Sequence, residues 1–110
     1  MDLSDLTVLD LSGNPGISFI PNDIDMLQNL KTFRFCGNGV STLPIALLKL
    51  RSLTSLELNQ NGISDFFETD SRTGAPINPG EVELHNLTYL SLNRNNLTKI
   101  PSICKHLPAL

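Results

Sequence analysis

Four copies of one spacing constrain what this chain can fold into. Leu6, Leu9, Leu11 and Asn14 stand in the order apolar-x-x-apolar-x-apolar-x-x-Asn. The order returns at Leu30, Phe33, Phe35 and Asn38, at Leu53, Leu56, Leu58 and Asn61, and at Leu87, Leu90, Leu92 and Asn95. Self-similarity at such a period marks a stack of units, each too small to bury its apolar side alone and each covering the next. With 110 residues, 40% of them hydrophobic, the chain is read as a single domain over 1–110, with units starting near 6, 30, 53 and 87.

Each unit carries its own local instructions. Alternation at the centre turns Leu9 and Leu11 inward and Asp10 outward, which predicts short strands near Val8–Asp10, Thr32–Arg34, Ser55–Glu57 and Tyr89–Ser91, stacked in parallel. Asn14, Asn38, Asn61 and Asn95 invite a catalytic reading as a column of amides. A structural ladder is the better one, because buried carboxamides must pair and can satisfy the backbone where each strand turns away. Behind each Asn come Ile17, Ile20 and Pro21, then Val40, Leu43 and Pro44, then Ile63 and Phe66 without the proline, then Leu97, Ile100 and Pro101. Ile24 and Leu27, Leu47 and Leu50, and Ile103, Cys104 and Leu107 have helical spacing, so the return limbs are expected to be helical turns, with Cys104 as a small core residue.

These residues resemble the leucine-rich repeat superfamily, in units of about 23 residues written LxxLxLxxNxLxxLPxxLxxLxx, and the I/L-P step is similar to the intracellular Ras-group repeat proteins. The resemblance implies an α/β fold: a right-handed solenoid with short parallel strands on its concave face and helical or 3-10 turns on its convex face. It also implies small GTPases or phosphatases as partners, although no residue selects them.

The period breaks once. Between the third and fourth units lies about half a unit of extra chain, roughly residues 68–81, polar and rich in Gly, Pro and turn formers. It is expected to leave the convex side as a passive, mobile loop without core contacts, whose excision leaves the melting temperature nearly unchanged; a loop that touches a partner is the sharper alternative. Leu3 reads as the tail of a preceding unit and Leu110 as the first leucine of a following one, so a fragment of a longer array is expected.

A net charge of −3 without a basic stripe argues against nucleic acid. The acidic start lacks an unbroken apolar run, so neither a signal peptide nor a membrane segment is expected. Cys36 and Cys104, on opposite limbs and two units apart, are expected to be free thiols, consistent with the cytoplasm. No metal, cofactor or small-molecule substrate is expected, and His85 and His106 have no triad-like neighbours. Gly37-Asn38-Gly39 lacks the rest of a phosphate loop, and the acids Asp23 and Asp25, and Glu81 and Glu83, read as facing water. Asn86-Leu87-Thr88 and Asn96-Leu97-Thr98 are formal glycosylation sequons that the repeat pattern itself generates.

What remains is a surface. The outward strand positions, Val8, Asp10 and Ser12, Thr32, Arg34 and Cys36, Ser55, Glu57 and Asn59, and Tyr89, Ser91, Asn93 and Arg94, form the candidate partner-binding face, with Asp10, Arg34 and Glu57 as a row of alternating sign. The expectation is a non-enzymatic scaffold or signalling module that binds a protein. Alternatives are an ectodomain segment of a cell-surface receptor, extracellular and glycosylated, or a regulatory segment of an enzyme such as a kinase. The first thirty residues carry only acids and the last twenty only bases, which makes end-to-end self-association possible.

Overall fold

A computed structural model of the chain describes residues 3–70 and 72–110. The four strands form where the alternation places them: β1 (Val8–Asp10), β2 (Thr32–Arg34), β3 (Ser55–Glu57) and β4 (Tyr89–Ser91). They make one parallel sheet in sequence order, β1-β2-β3-β4. Parallel neighbours require a crossover, and here each crossover is a short limb whose 3-10 turn lies at Asn22–Met26, Ile45–Lys49 or Pro79–Glu81; a further turn, Ser102–His106, follows β4. Pro21, Pro44 and Pro101 precede three of these turns at φ of −70°, −76° and −58°, the range the pyrrolidine ring imposes. The result is a small solenoid of 39 × 30 × 25 Å.

The core runs between sheet and turns. Leu30, Leu53 and Leu87 open their units and are fully buried, as are Leu56 and Leu58, while Phe33 and Phe35 fill the second unit with ring centroids 5.8 Å apart. Leu6, Leu9 and Leu11 at one end, and Leu90, Leu92 and Leu97 at the other, are partly buried and pack against this core. The strand residues at the same repeat positions are therefore fully buried in the second and third units and only partly buried in the first and fourth, the behaviour of a structure stabilised between neighbours.

The third unit leaves the common path at one residue. Where its neighbours have proline it has Phe67, with φ of +58°, a left-handed value that proline cannot take and a bulky side chain seldom does. The turn is held by Asp65, whose carboxylate accepts the Glu68 N–H at 2.7 Å and the Thr69 hydroxyl at 2.6 Å. The reversal buries two successive rings, Phe66 and Phe67, which meet edge to face at 4.9 Å.

Candidate functional site

The strand register assembles two rows on the outward side of the sheet. Val8, Thr32, Ser55 and Tyr89 are aligned in one; Asp10, Arg34, Glu57 and Ser91 are aligned in the other. Val8 and Tyr89 are half-exposed, at 51% and 53%, and lie at opposite ends of their row. In the second row Arg34 Nε donates to Glu57 Oε2 at 2.6 Å, and hydrogen bonding to Glu57 raises the guanidinium pKa above its ordinary value. Asp10 does not complete an ion pair with Arg34: its Oδ1 accepts the Ser12 N–H at 3.0 Å, the main cause of its lowered pKa. An exposed ion pair of this kind adds little stability.

Ser91 departs from the expected surface. It is 6% exposed, and its hydroxyl donates to Asn59 Oδ1 at 2.6 Å, an atom that also accepts the Asn93 N–H at 2.7 Å. Ser91 is thus closed off beneath the Asn59–Asn93 link, and strand alternation alone could not reveal it because the cover comes from the turn beyond. Ser12 and Cys36 are likewise joined across units, the Ser12 hydroxyl accepting the Cys36 N–H at 2.9 Å.

Between the rows and the return limbs runs the asparagine ladder. Asn61 is its fullest member: Nδ2 donates to the carbonyls of Phe35, Leu58 and Asn59 at 2.7, 3.0 and 3.3 Å, and Oδ1 accepts the N–H groups of Asn38 and Val40 at 3.0 and 3.3 Å. Asn95 repeats this against Leu58, Leu92, Asn93, Asn61 and Ile63, spanning the extra chain of the third unit. Asn38 Nδ2 reaches Leu11 O at 2.8 Å. Asn14 is exposed and turns its Nδ2 onto its own Leu11 and Ser12 carbonyls. Just before each Asn the chain passes through positive φ, at Gly13, Gly37, Gln60 and Arg94. Arg94 therefore holds its exposed position at a backbone cost that glycine avoids.

The extra segment folds back onto the molecule. Ile77 packs against the core, Thr69 pairs with Pro76 in an antiparallel bridge, and Asp70, only 9% exposed, is held by Arg72 at 2.7 Å. The expectation of a loop without core contacts is corrected here: apolar Ile77 takes the inward place although no leucine is present. Glu81 and Glu83 do not simply face water either, since Lys49 lies 2.8 Å from Glu81 and Arg51 lies 2.6 Å from Glu83. Cys104 is half-buried and packs on the core, and burial raises its thiol pKa; both cysteines are free.

Glu68 clasps the fourth unit. Its Oε1 accepts the Ser102 N–H at 2.9 Å, its Oε2 accepts from the Ser102 hydroxyl, and Lys99 lies 4.0 Å away. The bonds from Ser102 lower the carboxyl pKa below its ordinary 4.5. A carboxyl depressed by folding adds stability above its unfolded pKa and loses it as pH falls through the folded value. The stability difference between wild type and Glu68→Gln should accordingly be largest near neutrality and shrink below about pH 4, as denaturant titrations across pH would check; a constant difference would count against the clasp.

The geometry agrees with comparisons to known proteins. A family model described as Leucine Rich Repeat matches residues 5–27 and 86–107, and a second Leucine Rich repeat model matches 49–65. The human leucine-rich repeats and immunoglobulin-like domains protein 3 is 29% identical over 109 residues, which is 97% of this chain and 9% of that protein. A probable disease resistance protein of Arabidopsis thaliana is 40% identical over 53 residues, 48% of this chain and 6% of that protein. The structure of a leucine-rich-repeat protein from Leptospira interrogans superposes with a TM-score of 0.69 at 24% identity, covering 96% of this chain and 30% of that one. The chain thus spans less than a third of each of these three proteins.

Proposed function

Since the chain belongs to the leucine-rich repeat superfamily, we propose that it is a non-catalytic scaffold that binds a folded protein through the outward, concave face of its sheet. The observation that carries this reading is the register, which sets Val8, Thr32, Ser55 and Tyr89 beside Asp10, Arg34 and Glu57 on one preformed surface. A rigid surface loses little entropy on binding, and Tyr and Arg are the residue types that most often dominate such interfaces. Cys36, Asn59, Asn93 and Arg94 extend the face along the turns, while Ser12 supports it from within. Domain limits of 1–110, with a segment of about 68–81 inserted between the third and fourth units, go with this reading. Cytoplasmic residence is its natural setting, supported by the two free thiols. No helix among the described residues is long and apolar enough to cross a membrane.

The test is a partner recovered by proximity labelling in cells and then measured by calorimetry. Tyr89→Ala and Arg94→Ala should each weaken binding by about 1–2 kcal/mol, with circular dichroism unchanged. Undiminished affinity in both variants moves the site off this face.

A further inference from the structure

The outward face of the sheet carries a pattern of charge whose spacing fits a helix, and we propose that the partner presents an α-helix laid across β1, β2 and β3, with a basic, an acidic and a basic side chain on successive turns. This rests on the concave-face reading above and names what that face receives. Asp10, Arg34 and Glu57 are register partners, so negative, positive and negative groups follow one another at the strand spacing of about 4.8 Å. Arg34 and Glu57 belong to the second and third units, each flanked by another unit, and the outward side of the sheet is not the surface on which units stack. Arg34 Nε donates to Glu57 Oε2 at 2.6 Å; among the described residues neither side chain makes another hydrogen bond. The Arg34 Nη groups and Glu57 Oε1 are thus open to a partner, and a guanidinium already oriented through Nε loses less freedom on meeting a carboxylate. Ser91, the fourth place of the row, is uncharged and covered, so the pattern ends at Glu57.

Spacing selects a helix over an extended segment. The three charges span two strand steps, about 9.6 Å. Positions i, i+4 and i+7 on one face of a helix span about 10.5 Å, whereas i, i+2 and i+4 of an extended chain span about 13 Å. A helix therefore meets all three groups within about 1 Å of register, and an extended chain misses by about 3 Å. The order of charges is set by repulsion, since an acid opposite Asp10 or Glu57, or a base opposite Arg34, is disfavoured. In the adjoining row Thr32 and Ser55 are short and half-buried, which leaves room for a body about 10 Å wide to rest across both rows.

Two stapled helical peptides of identical composition, carrying Lys-Glu-Lys or Lys-Lys-Glu at i, i+4 and i+7, test this when titrated into the 110-residue chain with amide chemical shifts and calorimetry as readouts. Equal composition means that the net charge of −3 attracts both alike, so only the order of charges separates them. The Lys-Glu-Lys peptide should bind roughly tenfold more tightly, with shifts centred on Thr32–Arg34 and Ser55–Glu57. The double variant Arg34→Glu with Glu57→Arg, which keeps the net charge and replaces side chains that are not buried, should reverse the preference with circular dichroism unchanged. No binding, equal affinities, an order that the double variant does not reverse, or tighter binding of an extended peptide with the same charges at i, i+2 and i+4 would overturn the proposal. If a partner recovered from cells still depends on Tyr89 and Arg94 while the peptides show no preference, the helix falls and the concave-face reading stands.

Discussion

Replacing Phe66 with alanine should lower the unfolding free energy by about 3–5 kcal/mol, the range for truncating a fully buried aromatic ring. Phe66 is 1% exposed and meets Phe67 edge to face at the point where the third unit leaves the common path. The void cannot be refilled cheaply, because Phe67 is fixed at φ of +58° and its ring is already committed to the core. A domain of this size has only about 5–15 kcal/mol to lose. In a stack coupled between neighbours the damage should spread unevenly: amides of the third and fourth units should lose exchange protection before those of the second. Guanidinium titration together with hydrogen exchange would measure both. A loss below about 1 kcal/mol would mean that the site collapses around the missing ring and that the two rings do not anchor the diverted segment.

The second large effect is expected at Asn61. Alanine there strips the bonds to Phe35, Leu58 and Asn59 and leaves the N–H groups of Asn38 and Val40 without their acceptor. Unmade bonds at buried groups cost about 1–3 kcal/mol each, less where water enters. Asn61 is half-buried, so a total of about 2–4 kcal/mol is expected. Asn14→Ala should cost about 1 kcal/mol or less, since Asn14 is exposed and its carboxamide bonds only within its own turn. Denaturant titration of the two variants decides the matter. Equal losses, or the reverse order, would show that the amides fill space rather than tie units together.

Much of this architecture was legible in the residues. Alternation about Leu9, Phe33, Leu56 and Leu90 located each strand, because a period of two admits only one assignment of inward and outward faces. The helical spacing of Ile24 and Leu27, Leu47 and Leu50, and Ile103 and Leu107 marked three return limbs, where the structure has 3-10 turns. The row of Asp10, Arg34 and Glu57 also followed, since a regular step between units carries a strand position to its neighbour's counterpart.

Only the tertiary structure decided the rest. Ser91 sits at an outward position yet is covered, because Asn59 and Asn93 close over it from the adjoining turns. Ile77, lone among polar and turn-forming residues, packs against the core because Phe67 reverses the chain and Glu68 clasps Ser102 of the next unit. Identical asparagines make different bonds: Asn38 and Asn61 reach carbonyls of the unit before, whereas the Asn14 carboxamide bonds within its own turn. In each case the deciding contact lies many residues away in sequence. Periodicity fixes which way a side chain points, but what covers it depends on where the neighbouring unit carries its own chain.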